Sequence, residues 1–147
     1  MKPVRELMNQ NEFLKGLFSA IPCGVLIVDR ERRVLVVNSV IERIFGVSDA
    51  AVTGMSGGEV LRCVHVQDSP DGCGFGDHCR TCLVRKTALD AIGGRQIKRN
   101  RADMELLIKG KPRTLTLLVS AAPFDHQGER LAVVVMEDIT ELSTLRA

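Results

Sequence analysis

Residues 63–82 read CVHVQDSPDGCGFGDHCRTC and constrain the fold more than any other stretch. They hold four of the five cysteines, Cys63, Cys73, Cys79 and Cys82, in the spacing C-x9-C-x5-C-x2-C. Pro70, Gly72, Gly74 and Gly76 lie between them, so the connecting backbone can fold tightly around a centre. Thiolates are the soft ligands of zinc and of iron–sulfur clusters. The expectation is that these four sulfurs converge on a metal centre or form a thiol switch. Zinc sites usually come as two closely spaced pairs, and here only Cys79 and Cys82 form one. Iron–sulfur ligation tolerates uneven spacing. A dithiol switch needs only proximity and reactive sulfurs. An iron–sulfur cluster leads, with zinc and metal-free redox-active thiols or disulfides as the alternatives. Cys23 follows Pro22 at the start of an apolar run and reads as a small core residue outside the cluster.

Composition limits the partners. A chain of 147 residues can bury a sizeable core as one domain. Net charge is +2, and the densest basic cluster, Lys98-Arg99-Asn100-Arg101, reads as a solvated strand end. There are five Phe, no Trp and no Tyr, too few stacking surfaces for a single-stranded nucleic-acid binder. No nucleic acid is expected as a partner. No run of ~18 apolar residues appears, so no membrane segment is expected. The N-terminus is too polar for a secretory signal, which makes a cytoplasmic setting the default. In a reducing compartment, clustered cysteines point to metal or redox chemistry more than to a disulfide framework.

Along the chain, Val4, Leu7, Asn11, Leu14, Phe18 and Ile21 are spaced 3, 4, 3, 4, 3, a heptad seam with one polar member. This predicts a helix over 4–21 that either pairs two chains or packs on its own domain. Pro22 ends it. GVLIVD (24–29) and VLVVN (34–38) read as strands joined by a polar turn, a hairpin. Ser39 can cap a short helix that Gly46 stops. Residues 47–62 are loop and short helix. Asp77 is an expected N-cap for a helix over 78–92, with Cys79 and Cys82 on its first turn and Gly93-Gly94 at its end. Val84, Ala88, Ala91 and Ile92 form an apolar side for a sheet. Three more strands follow at 104–108, 114–124 and 131–138, the second with Leu115, Leu117 and Val119 alternating with Thr114 and Thr116. Asp138-Ile139-Thr140-Glu141 has capping-box form and can start an exit helix. The order of elements gives an α+β fold, with helices against one face of an antiparallel sheet.

GVLIVDRERRVLVVNSVIERIFGV, the later Gly54, and VVVMEDITEL in this order resemble the PAS sensor family over roughly residues 12–142. The resemblance implies a five-stranded antiparallel sheet with flanking helices. It also implies frequent homodimerisation and coupling to an output such as a histidine kinase or a cyclase, without catalysis inside the domain. Asp138, Ile139 and Thr140 match the family's junction with a following helix and are the implied signal relay. The organisation expected is an N-terminal dimerisation or linker helix over 1–21, a PAS domain over 22–142 and the start of an exit helix over 143–147. A homodimer through the N-terminal helix and a downstream output domain are the expected partners, which makes the chain a fragment of a longer signalling protein. His78-Cys79-Arg80-Thr81-Cys82 does not match the flavin-binding stretch of the light-sensing branch. Haem could use His65 or His78 but would leave the four cysteines unexplained. The cysteine cluster is similar to those of cysteine-bearing family members that hold iron–sulfur clusters. The function expected is redox or gas sensing through the four-cysteine centre. The alternative is an interaction or small-ligand module whose cysteines are a zinc site or disulfides. No P-loop, catalytic triad order or paired carboxylates point to an enzyme.

Overall fold

Every residue of Gly24–Val28 (β1) is buried, and this decides how the layers stack. A strand buried on both sides needs cover on both faces of its sheet. β1 pairs antiparallel with Val34–Val37 (β2) and with Glu129–Asp138 (β5), the latter in the register Gly24↔Met136 to Val28↔Ala132. β5 pairs with Lys111–His126 (β4), and β4 with Ile97–Ile108 (β3). The sheet order is β2-β1-β5-β4-β3, all antiparallel. The computed structural model describes residues 4–64, 82–108 and 110–141.

One face of the sheet carries Leu26, Val28, Leu106, Leu117, Val119, Val134 and Met136. They pack against Ser39–Phe45 (α3), Asp49–Val52 (α4), Gly57–Leu61 (α5) and Leu83–Ile92 (α6), through Ile41, Phe45, Val52, Val60, Leu61, Ala88 and Ala91. α3 approaches β1 so closely that a Cβ on Gly24 would lie 2.6 Å from Cδ1 of Ile41. The other face carries Val25, Ile27, Val36 and Leu131, covered by Met8 and Phe18. Met8 and Phe18 belong to two helices, Val4–Gln10 (α1) and Glu12–Ala20 (α2). Helices therefore flank both faces, where the element order predicts one.

The single N-terminal helix expected over 4–21 is broken at Asn11. Asn11 is extended, and its side chain accepts from the Leu14 amide at 3.0 Å as the N-cap of α2. The short polar side chain competes with the helix for backbone partners, and here it wins. The expected seam dissolves with it. Phe18 is buried against its own sheet, while Phe13, Leu14 and Leu17 are exposed. α1 is tied to the edge strand through Arg5, whose guanidinium meets Asp49 at 2.7 Å and donates to the Leu35 carbonyl at 3.0 Å. Asp49 in turn accepts from the Val37 amide, and Val34 exchanges bonds with Gly54 and Met55. The outer edge of β2 is thus paired along its length, which blocks strand addition there.

The turns explain the strand register. Asp29 accepts from the amides of Glu31 and Arg33, closing the β1–β2 turn. Gln127 (φ +51°) and Gly128 (φ +82°) are both left-handed, as a two-residue hairpin turn requires, and His126↔Glu129 is the closing pair of β4 and β5. β3 runs from Ile97, seven residues earlier than its apolar pattern suggests. Lys98–Arg101 sit inside the strand as solvated residues beside a register shift, where a strand end was expected. Asn38, not Ser39, caps α3: it is 1% exposed, and its Oδ1 accepts from Val25 and Ile41 amides.

Candidate functional site

Cys63 is placed by the end of α5. Arg62 takes a left-handed conformation (φ +60°), and the Cys63 amide then bonds back to Gly58 at 2.9 Å. That turn swings the chain onto β3. Cys63 forms an antiparallel bridge with Leu106, and the Leu107 amide donates to the Arg62 carbonyl at 2.8 Å. The Arg62 side chain reaches the other way and caps α3, donating to the carbonyls of Phe45 (2.9 Å) and Gly46 (3.1 Å). Cys63 is half-buried and packs on the core beneath the helical layer.

Cys82 stands at the other end of the stretch. It is extended and is the N-cap of α6, its Sγ accepting from the Arg85 amide at 3.5 Å. The helix begins at Leu83, so the expectation that Cys82 lies on the first helical turn is corrected: it lies just outside it. A cysteine can occupy this place because its sulfur accepts an orphan N–H at the helix start. Val84, Ala88, Ala91 and Ile92 of α6 pack against the core as their spacing predicts. Cys73 and Cys79, together with Asp77, His65 and His78, lie outside the described residues. Among the described residues no group of three or more His, Cys, Asp or Glu is placed to hold a metal.

Cys23 lies apart from this layer, opposite the end of β5. It is half-buried rather than a core residue, and its carbonyl accepts from Asn38 Nδ2 at 2.9 Å. Burial pushes its thiol above the ordinary value, and the Glu137 carboxylate adds to the rise. Both effects disfavour the thiolate.

Asp138, Ile139 and Thr140 form the turn at the end of β5. Asp138 Oδ1 accepts from the Thr140 amide at 3.0 Å and from its hydroxyl at 2.6 Å. The junction is held by a residue that spacing could not reveal, Thr116 on β4. The Ile139 amide donates to the Thr116 carbonyl at 2.9 Å, and the Thr116 amide donates to Thr140 Oγ1 at 3.0 Å. Thr116 is 7% exposed, and its hydroxyl donates to Asp103 on β3 at 2.8 Å. The alternation of β4 put Thr116 on the polar face, but only the strand register brings it opposite Asp103.

A cleft of about 220 Å³ lies beside the Arg62 corner, lined by Arg43, Ile44, Phe45, Gly46, Arg62, Ile108 and Gly110. It is smaller than the roughly 300–1,000 Å³ usual for small-molecule pockets. The Thr87 hydroxyl on α6 is buried, with no hydrogen-bond partner among the described residues. No helix among the described residues is long and apolar enough to cross a membrane.

A five-stranded antiparallel sheet in the order 2-1-5-4-3, with α3, α4, α5 and α6 between its second and third strands, defines an α+β domain. The family model of the PAS fold matches residues 18–144, and the chain belongs to that family. Solved structures agree on the fold. The PAS domain of nitrogen regulation protein NR(II) from Vibrio parahaemolyticus is 16% identical with a TM-score of 0.59, covering 88% of this chain and 100% of that one. The PAS domain of an HTR-like protein from Haloarcula marismortui is 17% identical with a TM-score of 0.57, covering 92% and 96%. The PAS domain of Bordetella pertussis BvgS is 22% identical with a TM-score of 0.54, covering 94% and 92%. No curated protein matches this chain significantly.

Proposed function

We propose that this PAS domain is a cytoplasmic sensory module for a redox or gas signal, acting through Cys63, Cys73, Cys79 and Cys82. The observation that carries the reading is the placement of the two described members. Cys63 and Cys82 flank the stretch: Cys63 follows α5 and bridges to β3, and Cys82 caps the start of α6. Four cysteine thiolates are the donor set that iron–sulfur clusters use. Cys82 receives a backbone N–H on its sulfur, an interaction that stabilises and tunes ligating thiolates. Cys63 is shielded on one side by the core. A bound cluster would supply one-electron redox chemistry or reactivity toward small gases. The chain's own part is to hold the two ends of the stretch, one on β3 and one at the start of α6. A change in the state of the cysteines then acts on both elements.

The output is a domain beyond this chain, such as a histidine kinase. It is reached through Asp138, Ile139 and Thr140, whose bonds to β4 set the start of the exit helix. Two copies act together, and we place their contact on the outward side of α2. Phe13, Leu14 and Leu17 are 80%, 38% and 54% exposed there, which replaces the seam that Asn11 breaks. Phe13→Ser with Leu17→Ser shifts the mass in light scattering toward a monomer. An unchanged dimer moves the interface off α2.

Anaerobic purification tests the centre. Visible absorption with stoichiometric iron and sulfide supports the cluster. A colourless protein that holds zinc, or neither metal, replaces it with a structural site or a thiol switch.

A further inference from the structure

The cysteine stretch and the exit junction are connected through described bonds along one strand. At the Arg62 end, β3 receives the chain by the Leu107–Arg62 bond and the Cys63↔Leu106 bridge. A few residues back along β3, Asp103 accepts from the Thr116 hydroxyl at 2.8 Å. Thr116 is the residue whose amide and carbonyl both bind the exit junction, at Thr140 Oγ1 and the Ile139 amide. In the β3–β4 register, Asp103 stands directly opposite Thr116. Asp103 also lies 3.7 Å from the Arg101 guanidinium.

We propose that β3 is the strap that couples the Arg62–Cys63 corner to the output junction, with Asp103 as the positioning residue that fixes Thr116 against Thr140. This rests on the reading of Asp138–Thr140 as the output, and it does not depend on which centre the cysteines hold. The alternative route is through α6, which starts at Cys82 and packs on β3, β4 and β5. The hydrogen bonds favour the strap. β3 is bonded at both of its relevant points, whereas α6 meets the sheet through apolar packing and, at its far end from Cys82, a bond from Arg130 on β5 to the Ile92 carbonyl at 3.4 Å. β3 is also the last strand of the sheet, held on its outer side at the Arg62–Cys63 end, so it can shift slightly without breaking a central ladder. The exposed Lys98–Arg101 segment leaves the other end of that side solvated.

Amide hydrogen exchange by NMR on the whole chain tests this without any metal. Leu107→Pro removes the bond to Arg62. It leaves the β3–β4 ladder intact, because the lost N–H points away from β4. The exchange of the Ile139 amide should rise roughly three- to tenfold, while the Ile27 amide in β1 stays unchanged. In a Thr116→Val background the same substitution should add nothing at Ile139. Coupling is reciprocal, so Thr116→Val alone should speed exchange at Leu107. That arm holds even if the proline variant does not fold. An unchanged Ile139 rate in Leu107→Pro overturns the strap. So does an equal rise at Ile27, or a Leu107 rate untouched by Thr116→Val. Absence of iron from the purified protein would defeat the cluster and leave the strap standing.

Discussion

Asn38 is the most instructive residue to perturb, because one side chain there joins three elements. It is 1% exposed. Its Oδ1 accepts from the Val25 amide at 3.0 Å, starting β1, and from the Ile41 amide at 3.2 Å, capping α3. Its Nδ2 donates to the Cys23 carbonyl at 2.9 Å and to the Phe18 carbonyl at 3.4 Å, fastening the end of α2. In Asn38→Ala the lost cap costs about 1 kcal/mol. The Val25 amide, buried with no access to water, adds about 2 kcal/mol. The Cys23 carbonyl is half-exposed and can find a water, so it adds little. The expected loss is about 3 kcal/mol, a fall in Tm of roughly 6–12 °C for a chain of this size. Asn38→Asp separates the parts. It keeps both accepted bonds but turns a second oxygen toward the two carbonyls and buries a charge. The folded state then raises that carboxyl's pKa, so the penalty is present above the ordinary Asp value of ~3.9 and shrinks as pH falls through the folded pKa. Urea unfolding followed by circular dichroism at neutral and acid pH measures both. A loss under about 1 kcal/mol for the alanine variant would refute the argument that the Val25 amide depends on Asn38. So would an aspartate variant whose penalty does not shrink in acid.

Three further outcomes are expected. Thr87→Val replaces a buried hydroxyl that has no partner among the described residues by a methyl of the same shape, and should stabilise by about 1 kcal/mol in the same assay; a loss would mean that the hydroxyl has a partner outside them. Asp49→Ala removes the partner of Arg5 and of the Val37 amide; with the pair 25% and 34% exposed, about 2 kcal/mol should be lost and exchange should rise first in α1, whereas a neutral result would detach α1 from the edge of β2. Cys23 has a raised thiol pKa, so the folded state holds its proton longer than the unfolded one; its contribution to stability is full below pH 9.0 and is lost as pH rises toward the folded value. Stability of wild type relative to Cys23→Ala should therefore fall above that pH, with metal content equal in the two proteins, and iron lost in the variant would make Cys23 a ligand.

The strands were legible where burial is one-sided or complete. β4 shows its alternation, and β1 and β5 show unbroken apolar runs. The first half of β3 left no trace, because Lys98–Arg101 lie on a solvated edge and carry no apolar period. Its pairing with β4 comes from continuing a ladder that begins at the Lys111 turn. Local pattern misplaces Asn11 and Asn38. It reads Asn11 as a member of one continuous helix and Asn38 as the end of a strand, whereas each is a helix N-cap. Asn38 caps because β1 brings the Val25 amide to it, and Asn11 breaks its helix where Met8 and Phe18 must both reach the sheet.

The sequence by itself determined the antiparallel sheet, most of its strands, and the stretch that carries four cysteines. These depend on period, turn chemistry and composition, which are properties of neighbours along the chain. Only the tertiary structure decided that Arg62 and Cys63 meet β3, that Cys82 caps a helix rather than lying within it, and that Thr116 joins Asp103 to Thr140. The Cys82 cap is a local bond from Arg85, but the other two rest on hydrogen bonds between residues far apart in the chain. Several partners are chemically equivalent for such a bond, and the register of the strands chooses among them.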